Sequence, residues 1–214
     1  MARVTYVKAA KGRKDGRPRR CSRCGNEIKP GESYSWFANR IGRSSIRKDF
    51  CSNCRIRESD KTTSPHMQTI YAGQEAAEDT LGQADLTLAD IAEAVRGYAE
   101  ALKEASESYG ESADNMEDGF GHETEMSAAI REKAESCEST ADTVESAADD
   151  IESMDDPDAD AAEFQDDYEG DWDDEKDEAV DTEEWEQHVE AKREERREAA
   201  IDAANEALGE WPDL

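Results

Sequence analysis

The chain has 214 residues, of which 36% are hydrophobic and 7% aromatic. That is enough length for one or two small domains but too little apolar material for one large core, so long solvated helices are expected. The net charge of −29 hides a split: residues 1–64 carry 17 Lys+Arg against 6 Asp+Glu, a net of +11, and residues 65–214 carry 9 against 49, a net of −40. Asymmetry of this kind predicts a basic end suited to nucleic acid and an acidic end with another task. No run approaches the ~20 apolar residues of a membrane span. Met1 to Lys14 is basic without an apolar block, unlike a secretory leader. The expectation is a soluble cytoplasmic protein that does not engage membranes.

Residues 1–20 are expected to form a flexible basic arm. Lys8 to Arg20 contains Gly12, Gly16 and Pro18 and no apolar periodicity. An arm rich in Lys and Arg binds phosphate by releasing counterions, without reading sequence. Its candidate contacts are Lys11, Arg13, Lys14, Arg17, Arg19 and Arg20, and the basic run continues into the next module through Arg23, Arg47, Lys48 and Arg55.

Residues 21–64 hold the strongest signal in the chain. Cys21-Ser22-Arg23-Cys24 and Cys51-Ser52-Asn53-Cys54 are two CxxC pairs, the ligand pattern of a four-cysteine zinc site. Each pair lets two thiolates reach one ion from a tight turn, and Gly25 relaxes the backbone after the first. Four thiolates leave no open coordination position, so one structural zinc is expected, with no catalytic residues. Between the pairs, Ser33 to Asn39 and Ser45 to Phe50 read as two strands joined near Ile41-Gly42-Arg43, and Arg55 to Ser59 begins a helix. Trp36, Phe37 and Phe50 form a small core in this reading, with Tyr34 as the candidate exposed stacking residue. Knuckle, hairpin and a second CxxC opening a helix is the order of a treble-clef finger.

The run Cys21-x-x-Cys24-Gly25, Ile28, Gly31, Tyr34, Trp36 and Cys51-x-x-Cys54 with Arg55 and Ser59-Asp60 resembles a family of uncharacterised tailed-phage zinc-finger proteins. Ser64, Tyr71, Gln74-Glu75 and Tyr109 to Asn115 with Phe120 continue the resemblance, which spans roughly residues 1–155. It implies a viral origin, and hence the cytoplasm of a host cell, and a zinc finger. It implies no particular activity.

Residues 65–154 read as helical. Ser64-Pro65 starts a helix that Gly82 ends, with Met67, Ile70, Tyr71 and Leu81 on its buried side. Thr87 to Asp90 is a capping box. The following seam, Leu88, Ile91, Val95, Tyr98, Leu102, Ala105, Tyr109, Ser112 and Met116, advances in alternating steps of three and four. After Gly119 and Gly121, Thr124 caps a second seam: Ile130, Ala134, Cys137, Ala141, Val144, Ala148 and Ile151. Folded back near residue 123, the two seams pair large residues with small ones, Leu102 with Val144 and Tyr109 with Cys137. This predicts an antiparallel, coiled-coil-like hairpin of helices 88–116 and 125–153, with Cys137 as a seam residue. Residues 155–180 read as an acidic, self-repelling linker, although Phe164, Tyr168 and Trp172 recur at intervals of four. Residues 181–209 form a last helix, whose Lys192, Arg193, Arg196 and Arg197 are expected to pair with Glu along it. This helix, or a second copy of the chain in a homodimer, covers the Ala-rich seam.

The fold class expected is therefore a small α+β treble-clef zinc finger, then a mainly α antiparallel helical hairpin and a C-terminal helix. The expected function is a non-enzymatic accessory protein that holds the phosphate backbone of DNA or RNA through its zinc module. The alternative is an acidic protein, or nucleic-acid mimic, that engages a basic host protein.

Overall fold

In the computed structural model, residues 3–12, 17–41, 44–170, 172–173, 178–179 and 182–214 are described. The chain divides into two compact units, Met1–Ala72 and Gly73–Leu214.

The first unit is built on a small antiparallel sheet. Its strands are β1 (Thr5–Val7), β2 (Arg19–Arg20), β3 (Glu27–Ile28), β4 (Tyr34–Ile41) and β5 (Ser44–Cys51), followed by the short helix α1 (Glu58–Lys61). One sheet has the order β1-β4-β5, and β2 pairs with β3. The β4–β5 ladder runs from Tyr34 opposite Cys51 to Ile41 opposite Ser44. Gly42 and Arg43, the expected turn, lie outside the described residues. The Phe37 and Phe50 rings stack at 5.7 Å, fully buried, and Ala10, Ile28 and Tyr34 close around them.

The arm is more ordered than its composition suggests. Val4 to Val7 combines β-branched and aromatic residues, a strand-forming run, and Thr5, Tyr6 and Val7 pair with Trp36, Ser35 and Tyr34. Ala10 is buried, donates to Glu32 O at 2.7 Å and accepts from Gly31 N–H at 2.9 Å. Residues 5–10 and 19–20 thus belong to the folded unit and not to a free tail.

Helix α2 (Pro65–Leu81) contains the boundary between the units. The second unit continues with α3 (Leu88–Phe120), α4 (Glu125–Glu152), a 3-10 helix over Ala161–Asp167, strands β6 (Trp172–Asp173) and β7 (Glu178–Ala179), and α5 (Thr182–Gly209). Thr87 Oγ1 accepts from Asp90 N–H at 3.1 Å and Asp90 Oδ2 accepts from Thr87 N–H at 3.0 Å, closing the capping box. Thr124 and Ser127 do the same for α4. α3 runs through Gly119 to Phe120, beyond the expected stop at 116. Gly121 ends it in the left-handed region (φ 75°), its N–H reaching Glu117 O at 2.7 Å.

α3 and α4 pack along their lengths in opposed directions. Arg96, early in α3, pairs with Asp149 (2.8 Å) and Glu152 late in α4, Lys103 with Glu145 (2.6 Å), and Arg131 with Asp114 and Glu117 (2.8 Å each). These pairs are exposed and contribute little singly. Between them Ile91, Val95, Tyr98, Leu102, Cys137, Ala141, Val144, Ala148 and Ile151 are buried. A second buried column, Ala92, Ala99 and Ala113, lies beside the α3 seam at heptad spacing, and α5 packs against both helices. The end of α5 is tied down through its own orphan carbonyls. Gln74 Nε2 donates to Leu208 O and the buried Tyr98 hydroxyl donates to Glu210 O, both at 2.9 Å. Gly73 meets α3 closely: a Cβ there would stand 2.3 Å from Ala101 Cβ.

The acidic stretch is a packed element over its described residues 155–170. Phe164 is 1% exposed in a cluster with Ala159 and Val189. Arg193 donates to Ala159 O (3.2 Å), Arg196 to Asp156 O (2.8 Å) and Arg197 to Asp158 Oδ1 (3.1 Å), and the Arg196 guanidinium lies 4.5 Å from the Phe164 ring centre. Three of the four cations expected to pair along α5 instead reach this segment, where they offset part of its negative charge and tie its backbone to the helix. Lys192 with Glu195 (3.2 Å) does pair along the helix. Trp172 has no described side chain.

Candidate metal centre

The four cysteines come from two turns that the sheet holds side by side. In the first, Cys21 N–H donates to Asn26 O and Gly25 N–H returns to Cys21 O, with Gly25 at φ 72°. The second turn starts on the last residue of β5, and Cys54 N–H donates to Cys51 O. Asp49 stitches the two together. Its carbonyl accepts from Ser22 N–H at 2.7 Å and its N–H donates to Ser22 Oγ at 3.2 Å.

All four sulfurs lie within 4.8 Å of one another, and Cys24 Sγ is 3.8 Å from Cys51 Sγ. A tetrahedron with Zn–S bonds of about 2.3 Å has an S···S edge of about 3.8 Å, so the cluster is sized for such an ion. Cys21 is buried, Cys51 and Cys54 are half-buried and Cys24 is exposed.

The protonation of the set is uneven. Burial is the largest influence on Cys21 and raises its pKa. Hydrogen bonds from the backbone of Cys24, Cys51 and Arg23 nonetheless bring it down to about 6. Burial and the neighbouring sulfurs push Cys54 up to about 12, and burial raises Cys51. Crowded sulfurs without a cation thus resist sharing charge, and a divalent ion reverses that logic by stabilising every thiolate. The donor set can hold a metal ion.

The ten candidate cations fall into different settings. Arg19 and Arg47 both bind the Asp49 carboxylate at 2.8 Å. They also flank Tyr34: Arg19 lies 4.6 Å from the ring centre, and Arg47 donates to the hydroxyl at 3.0 Å. Tyr34 is 5% exposed, so it is a core residue and not the exposed stacking contact expected of it. Trp36 is half-buried beneath Arg47, at 4.0 Å. Arg23 pairs with Asp60 at 2.5 Å, and Lys48 donates to Asp60 O at 2.9 Å. Lys11, Arg17, Arg20 and Arg55 are exposed, and Arg13 and Lys14 lie outside the described residues. Lys11, Arg17 and Arg19 line one open cleft with Glu27, Ile28 and Pro30.

Sequence reasoning missed Asp49 and Asp60 as organisers. The available signal was that they are two of only 6 acids among residues 1–64.

Compared with protein-family models, curated proteins and solved structures, the chain matches none. Among the described residues, no helix is long and apolar enough to cross a membrane.

Proposed function

We propose that the chain is a zinc-binding accessory protein of viral origin that holds the phosphate backbone of DNA or RNA through its first unit. In this reading the two CxxC turns and the β4–β5 ladder form a treble-clef finger around one structural zinc. The long helices of the second unit form a coiled-coil-like hairpin that serves as a protein-interaction body. The observation that carries the reading is the exposure of Lys11, Arg17, Arg20 and Arg55 around a cysteine cluster, in a segment with a net charge of +11. A four-thiolate ion supports structure rather than chemistry, so the protein acts by binding and not as an enzyme.

The test is a titration of the zinc-loaded chain with DNA and RNA across roughly 50 to 200 mM salt. Binding is expected to weaken steeply with salt. Replacing Lys11, Arg20 and Arg55 with Ala is expected to lower the logarithmic slope by about 0.7–0.9 for each phosphate left without its cation. A salt-insensitive affinity, or a slope unchanged by the triple variant, removes the reading.

A second reading has the acidic body engage a basic host protein, with the finger serving only as scaffold. It is favoured by Phe120 and Met126, each 65% exposed where α3 meets α4, among Glu117, Asp118, Glu123 and Glu125. Capture of a basic protein that is abolished in Phe120→Ser with Met126→Ser, and kept when the cations of the first unit are replaced, supports it.

A further inference from the structure

We infer that Tyr6 is a stacking seat for an unpaired base, so that the nucleic acid held by the first unit is single-stranded. The inference rests on the nucleic-acid reading above and adds the class of strand. β1 is an edge strand paired on one side only, with β4. Strand alternation turns Tyr6 to one face of β1, while Thr5 and Val7 turn to the other and are half-buried. Tyr6 is 63% exposed and Val4 41%. The residue opposite Tyr6 across the ladder is Ser35, too small to cover a phenol ring.

The other aromatic residues of this sheet are committed elsewhere. Phe37 and Phe50 stack on each other in the core, Tyr34 lies between Arg19 and Arg47, and Trp36 is capped by Arg47. Tyr6 is the only exposed aromatic side chain among the described residues of the first unit. A single exposed apolar residue is ordinary on any surface. What sets this one apart is its place on an edge strand that the exposed cations Arg3 and Lys8 bracket in sequence, in a unit whose further exposed cations include Lys11 and Arg20.

An open π-face on a unit rich in exposed cations is the arrangement with which single strands are held without sequence preference. The cations follow the phosphates, and the ring takes a base. A duplex offers them only phosphates, because its bases are already stacked on one another along its length. A protein partner gains less here, since the surrounding charge favours a polyanion.

The experiment uses the full, zinc-loaded chain with oligo(dT), oligo(rU) and a blunt duplex of the same length, read by fluorescence anisotropy. Tyr6→Ala and Tyr6→Leu are expected to weaken binding to the single strands by about 5- to 100-fold, leaving the salt slope and the duplex affinity unchanged. Tyr6→Phe is expected to bind like the parent. Leu keeps apolar bulk on the strand, so an affinity that falls with Leu and holds with Phe reports the ring and not the fold. Both oligo(dT) and oligo(rU) are expected to respond, since stacking does not consult the 2′-hydroxyl. Single-strand affinity within twofold of the parent in Tyr6→Ala, or an equal loss on duplex and single strand, overturns this inference alone. Absence of binding by the parent chain to any of the three removes the nucleic-acid reading with it.

Discussion

In the first unit the fully buried side chains Phe37 and Phe50 come from two neighbouring strands, and four sulfurs from two turns sit at the end of the same ladder. In the second, Val95, Tyr98, Leu102, Val144 and Ile151 come from two long helices and form a continuous seam. The first unit is small, with few large side chains to bury, and its four-cysteine cluster can hold a metal ion whose binding would add to the folding energy. The second needs no ion, because each added helical turn buries another layer. One unit therefore offers a point of coordination chemistry, and the other rests on distributed apolar area.

The most severe way to break this contrast is to remove the metal. Chelation, or Cys24→Ser, is expected to unfold the first unit, since structural zinc supplies on the order of 10 kcal/mol to small fingers. The helical circular-dichroism signal is expected to stay nearly intact. Its collapse together with the first unit would show that the two units are not energetically distinct. The converse substitution is Leu102→Ala, at a fully buried seam position. A cost of about 2–5 kcal/mol is expected in denaturant unfolding of the helices, with zinc affinity unmoved.

The smallest expected effect concerns pH. Hydrogen bonds from the Thr87 side chain and backbone hold Asp90 below the usual carboxylate range, and the Arg131 hydrogen bond does the same for Glu117. A depressed carboxylate contributes stability above its unfolded pKa and loses it as pH falls through the folded value, so this loss lies below about pH 4. Residues 65–214, at net −40, experience the opposite first, because partial protonation down to about pH 5 relieves self-repulsion. The melting temperature of the helices should rise slightly from pH 7 to 5 and then fall, with Asp90→Asn flattening the lower limb. A monotonic decline from pH 7 would show that repulsion is already screened or paired.

Legibility in the sequence followed the distance over which a signal acts. The CxxC pairs, the Thr87–Asp90 box and the seam residues were readable because spacing alone defines them. The partners of the basic side chains were not. Arg19 finds Asp49, thirty residues away, and Arg197 finds Asp158, thirty-nine away. Local reading therefore saw a solvated arm and an acidic linker where folding brings opposite charges together. Phe164 was visible as part of an aromatic repeat, yet its pocket exists only once Val189 and Arg196 approach it. Tyr34 and Tyr6 show the same limit: both alternate on strands, and only the tertiary neighbours decide which ring is covered.

Cys137 carries a practical consequence. It is the one thiol outside the metal cluster, and no solvent reaches it in the seam between α3 and α4. An alkylating dye would therefore label the first unit's sulfurs once a bound ion is withdrawn, and the second unit's sulfur only when its helices part. Peptide mapping of the modified cysteines would give two clocks in one molecule, each timing the opening of a different half.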